Sequence, residues 1–117
     1  MINLSHIQKQ LSIWRKKNFI YRKLRKKEAL ALQHSLGMAE EAGEVAHNVL
    51  KAVHGIRDGQ NGFDKEKIAD GVIDTFIYGM ALFDVLGIDA EKVLKEVIGE
   101  VLKRDWINDP QNGGNNG

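Results

Sequence analysis

The 117-residue chain contains no cysteine and only one proline, Pro110. Without cysteine there can be no disulfide, no thiolate zinc site and no cysteine nucleophile. With proline confined to the C-terminal end, no ring interrupts a helix earlier in the chain. No apolar run approaches the roughly 18 to 20 residues that a membrane helix needs. The start, Met1-Ile2-Asn3-Leu4-Ser5-His6, lacks the charged-then-apolar layout of a signal peptide, so cytoplasmic residence away from membranes is expected. An excess of one charge is also missing. Seventeen Lys and Arg against 16 Asp and Glu leave a formal net charge of +1. That gives no global pull toward nucleic acid or an anionic membrane, and nucleic acid is not an expected partner.

What is present is helical periodicity. A hydrophobic share of 43% and a charged share of 28% suit one soluble domain with a single core. Leu4, Ile7, Leu11 and Trp14 recur at three- and four-residue steps, which predicts a first amphipathic helix. A second is expected from about Lys27 to about Val53, and a third from about Asp64 to about Leu86. A fourth should run from Asp89, placed as its N-cap, to about Trp106. Between the second and third lies Gly55 to Gly62 (GIRDGQNG), a loop by composition. No alternating run predicts a strand. Residues 1–107 form the expected domain, and the glycine- and asparagine-rich tail 108–117 is expected to be disordered. Four helices with short connections predict an all-α, four-helix bundle. The third is apolar on nearly every side from Ile73 to Phe83. A chain of this size can hardly enclose such a helix, so a homodimer or a dimer of dimers is expected.

The carboxylates carry the chemical signal. At about 100° per residue, Glu41, Glu44, Asn48 and Lys51 fall on one arc of the second helix, with Glu40 and His47 alongside. The opposite half bears Leu32, Leu36, Ala39, Ala46, Leu50 and Val53. Alone, these glutamates fit a solvated face. On the third helix, Asp70 and Asp74 share a face that continues into Ile77 and Ala81. Aspartate is a poor mid-helix residue and is rarely buried without a partner. Ionised carboxylates left unpaired in an apolar bundle would cost several kcal/mol each. The counter-charge can come from Lys51, Lys67 or Arg57 as a structural ion-pair cluster, or from a metal. Four carboxylates on neighbouring helices offer hard oxygen ligands, which suit Mg²⁺ or Mn²⁺. Zinc fits poorly, because His6, His34, His47 and His54 do not pair with these carboxylates at ligand spacing. So many acids around one dication point to phosphoryl chemistry on a polyphosphate.

These residues resemble the MazG-like family of the all-α nucleoside triphosphate pyrophosphohydrolase superfamily. Its pattern is Glu-x-x-Glu on one helix, then Glu-x-x-Asp on the next. Leu36 to Ala46 (LGMAEEAGEVA) is similar to the first element, with Glu41 and Glu44 as its glutamates. Asp70 to Tyr78 (DGVIDTFIY) is similar to the second, with Asp74 at the aspartate. The likeness extends from about Trp14 to about Trp106 through His47 to Lys51 (HNVLK), Gly55-Ile56-Arg57, Leu86 to Asp89 (LGID) and Lys103 to Trp106 (KRDW). One position departs: Gly71 stands where the family has glutamate, leaving Asp70, or Glu66 one turn further out, as the substitute.

The resemblance implies a bundle completed by dimerisation and magnesium-dependent cleavage of a nucleoside triphosphate to monophosphate and pyrophosphate. Glu41, Glu44, Asp70 and Asp74 would hold metal, and Glu41 or Glu40 would orient or deprotonate the attacking water. Lys51 would neutralise phosphate, and Trp14 and Tyr78 are candidates to contact the base. Other readings also suit the residues: a non-catalytic nucleotide- or nucleic-acid-binding bundle, or a phosphoribosyl-ATP pyrophosphohydrolase. A ferritin-like di-metal protein needs two Glu-x-x-His pairs, and only Glu44 with His47 has that spacing. The basic stretch Arg15 to Lys27 reads as a solvated charged linker or as an electrostatic funnel for polyphosphate.

Overall fold

Asn3, Asp64 and Asp89 each turn a side-chain oxygen onto the backbone N–H three residues ahead, and each of these caps starts a helix. The computed structural model describes residues 3–19 and 23–114. Among them are four α-helices and no strand: α1 (Leu4–Asn18), α2 (Lys26–His54), α3 (Lys65–Leu86) and α4 (Ala90–Leu102). A 3₁₀ turn over Arg57–Gly59 lies between α2 and α3. Gly55 and Gly87 end α2 and α3 in the left-handed region, at φ 65° and 68°. The following amides, Ile56 and Ile88, reach back to the carbonyls of Lys51 and Phe83, the backbone closure that a glycine at this position permits.

The fourth helix ends earlier than the expected Trp106. Beyond Lys103 the Asp105 carboxylate accepts from the amides of Ile107 and Asn108, and this local bonding competes with the helix. Asp109 repeats the pattern with the amides of Asn112 and Gly114. The segment through Gly114 is therefore a run of side-chain-capped turns, where composition alone predicted disorder. Residues 115–117 of that tail lie outside the described residues, as does part of the basic stretch.

Among the described residues, only α2 and α3 pack extensively on each other, with the 3₁₀ turn against α2. They run antiparallel, and glycines set their separation. The Tyr78 ring of α3 lies over Gly37 of α2, and a methyl group at 37 would overlap it. Gly71 of α3 is buried against Val45, where a methyl group would again collide. At the far end Gly59 sits on the backbone of Lys51 and Ala52.

This register also decides which face of α2 is covered. The α2 face with Leu32, Leu36 and Leu50 does not meet α3: those side chains are 51%, 68% and 52% exposed. His34, Gly37, Met38, Glu41, Val45 and Asn48 form the side turned to α3 instead. The apolar surface of α3 also stays open, with Ile73, Phe76 and Ile77 exposed. No hydrophobic residue among those described is fully buried. The radius of gyration is 20.9 Å, against about 13 Å for a compact chain of some 100 residues. No single described helix is long and apolar enough to cross a membrane.

Gly59→Ala tests this packing, since the neighbour is backbone rather than a side chain that can turn aside. It should lower unfolding stability by about 1–3 kcal/mol, read as a fall in the urea midpoint. An unchanged midpoint would contradict the close docking of the loop on α2.

Candidate active site

The antiparallel contact of α2 and α3 creates a cleft along one flank. Its volume is about 440 Å³, and Glu40, Glu44, His47, Asn48, Lys51 and Lys67 line it. On α2, Glu44 and Lys51 are seven residues apart, nearly two turns and about 10 Å along the axis. On α3, Lys67 and Asp74 have the same spacing and share a flank in the same way. Because the helices run in opposite directions, the acidic ends of both pairs meet, and so do the basic ends. The cleft is acidic toward Glu41, Glu44 and Asp74, and cationic toward Lys51 and Lys67.

Glu41 is half-buried beside the contact with α3. Its carboxyl is held above the ordinary value by partial desolvation, then by the negative charges of Glu44, Asp74 and Glu40. Glu44 also lies within hydrogen-bonding reach of it, which favours the protonated form. Three sequence-predicted carboxylates, Glu41, Glu44 and Asp74, are thus electrostatic neighbours across two helices. Asp70 is exposed on α3 and is not among the charges acting on Glu41. On the helix it lies about 40° further round than Asp74. Glu66 is exposed in the first turn of α3. Gly71 lies against Val45, and a side chain there would force the Val45 side chain to shift. As the side chains stand, no three Asp, Glu or His residues among those described are grouped closely enough to hold a metal ion.

At the basic end, Lys51 is the only buried charged residue among those described, with 9% of its surface exposed. Its ammonium is 2.6 Å from Asp58 Oδ1 in the 3₁₀ turn. Lys67 Nζ is 3.4 Å from Asp58 Oδ2. Hydrogen bonding to Lys51 leads the effects that bring the Asp58 carboxyl down to about 2. A carboxyl lowered in this way favours the fold above its ordinary value of 3.8, and loses that contribution as pH falls toward 2. Sequence reasoning missed Asp58, whose only signal was an acid in a glycine-rich loop shortly after Lys51.

The aromatic candidates are not in the cleft. Tyr78 is half-buried between the helices, over Gly37 and 6.4 Å from the His34 ring. Its ring fills the space left by Gly37 at the α2–α3 contact. Trp14 is 51% exposed on α1 and meets Phe19 edge to face at 5.4 Å.

The charge crowding at Glu41 has a measurable cost. A carboxyl whose folded pKa is raised destabilises the fold once ionised, above that pKa, and the cost fades as pH falls below its ordinary 4.5. Glu41→Gln is therefore expected to melt at a higher temperature than wild type at pH 7 in EDTA, with the gap closing toward pH 4. A lower melting temperature at pH 7 would contradict the crowding.

No family model, no characterised protein and no solved structure matches this chain, so the reading of the cleft rests on its own geometry and chemistry.

Proposed function

We propose that the chain is a magnesium-dependent nucleoside triphosphate pyrophosphohydrolase of the MazG-like type, releasing monophosphate and pyrophosphate. The observation that carries this reading is the proximity of Glu41, Glu44 and Asp74 across α2 and α3, at the end of a cleft opposite Lys51 and Lys67. Carboxylates that repel one another in a cleft are poised for a counter-ion, and an all-oxygen donor set fits Mg²⁺ or Mn²⁺. Glu44 and Asp74 are exposed, so both carboxylates are open to an ion from solution. When bound, the ion polarises phosphate oxygens as a Lewis acid.

The remaining work falls to the chain. Glu41, half-buried at the contact of α2 and α3, takes a proton from the attacking water. Glu40 lines the same cleft and orients that water. Lys51 offers a fixed positive charge to the phosphates. Of the two aromatic candidates, Trp14 is the exposed one and the one assigned to the base, on a helix that makes no extensive contact with α2 or α3.

The active form in this reading is a homodimer or a dimer of dimers. The open apolar surfaces support it, among them a groove of about 600 Å³ floored by Phe76, Met80, Phe83, Val93, Leu94 and Val97. Exposed apolar area on this scale marks an interaction surface, and copies of the chain carry matching faces.

The test is pyrophosphate release from a panel of canonical and modified nucleoside triphosphates, with Mg²⁺ or EDTA, alongside light scattering on the same protein. Metal-dependent release, reduced at least ~100-fold in Glu41→Gln, from a species of two or more chains is the expected result. No release by folded, metal-supplied protein would reject the hydrolase reading and bring phosphoribosyl-ATP and simple nucleotide binding forward as the next substrates to try.

A further inference from the structure

The basic end of the cleft holds two ammonium groups from different helices, bridged by one carboxylate. Lys51 comes from the last turn of α2 and Lys67 from the first turn of α3. Asp58 takes each on a different oxygen, at 2.6 Å and 3.4 Å. Two like charges would otherwise push apart, and the half-exposed Lys67 would extend into water. With Asp58 between them, both point into the cleft that Glu40 and Glu44 line further along.

The loop holds the Asp58 backbone close to the end of α2. Gly59 lies directly on the Lys51 backbone, where no side chain fits. The Ile56 amide bonds to the Lys51 carbonyl, and the Gly59 amide to the carbonyl of Ile56. Arg57, immediately before Asp58, is held at φ 52°, a left-handed conformation that a non-glycine residue adopts only when its surroundings impose it. The Asp58 side chain is 58% exposed, and its backbone is held where the carboxylate meets both ammonium groups.

Each lysine ammonium carries three N–H donors. Asp58 engages one on each, leaving donors on both for a further anion. We propose that Lys51 and Lys67 form a paired clamp for the phosphates of a polyphosphate ligand, and that Asp58 is the positioning residue that sets it. Lys67 is thereby a second phosphate-binding residue. The assignment rests on the triphosphate reading and deepens it, since it fixes which end of the cleft takes the phosphates furthest from the carboxylates.

The test is calorimetric titration of inorganic tripolyphosphate, in EDTA, into the full chain and into Lys67→Met, Lys67→Arg, Asp58→Asn and the double variant Asp58→Asn/Lys67→Met. Circular dichroism checks each fold. Losing one charge-assisted contact should weaken binding roughly tenfold in Lys67→Met, while Lys67→Arg stays within about threefold of wild type. Asp58→Asn should weaken binding as well. The double variant should be less impaired than the product of the single effects, because Asp58 acts partly through Lys67.

Tighter binding by Asp58→Asn would show that Asp58 competes with the ligand, and would overturn the proposal. So would wild-type protein that binds no tripolyphosphate, or Lys67→Met that binds as wild type does. Failure of the hydrolase reading looks different: the binding pattern holds while no triphosphate is cleaved. Cleavage with a KM unmoved by Lys67→Met would instead retain the enzyme and discard the clamp.

Discussion

Everything in this molecule depends on how closely α2 and α3 approach. Gly37 admits the Tyr78 ring, and Gly71 lets Val45 lie against the α3 backbone. That approach brings Glu41, Glu44 and Asp74 into one another's fields.

The same contact gives the cleft its polarity. Antiparallel helices carrying acid and base seven residues apart, in opposite order, place like charges together at each end. Separate ends with separate counter-charges are the consequence. Asp58 answers the lysines from within the chain, whereas the crowded acids around Glu41 have only one another. That imbalance is the reason the proposed cation is assigned to the acidic end.

Much of the local structure was legible in residue order. The caps at Asp64 and Asp89, the glycine ends at Gly55 and Gly87, and the arc holding Glu44, Asn48 and Lys51 all follow from short-range rules. The side of α2 turned to α3 was not legible. Leu32, Leu36 and Leu50 form the more apolar face, and burial alone would turn that face inward. The glycines overrule it, because only the Gly37 side lets another backbone come near. The apolar face is left open, and a single chain carries no record of what covers it. Asp58 was hidden for another reason: a loop acid gains meaning only when the fold seats it on two lysines. The turns after Lys103 depend on carboxylates at Asp105 and Asp109, which composition counts merely as polar.

The claim at the centre is that the acidic end of the cleft takes a divalent cation. Mn²⁺ titration followed by electron paramagnetic resonance measures this without any substrate. The account predicts saturable loss of the free Mn²⁺ signal with at least about one ion per chain. That binding should be competed by Mg²⁺ and weakened strongly in Glu44→Gln and in Asp74→Asn. A free-ion signal that falls no faster with wild type than with these variants would contradict it.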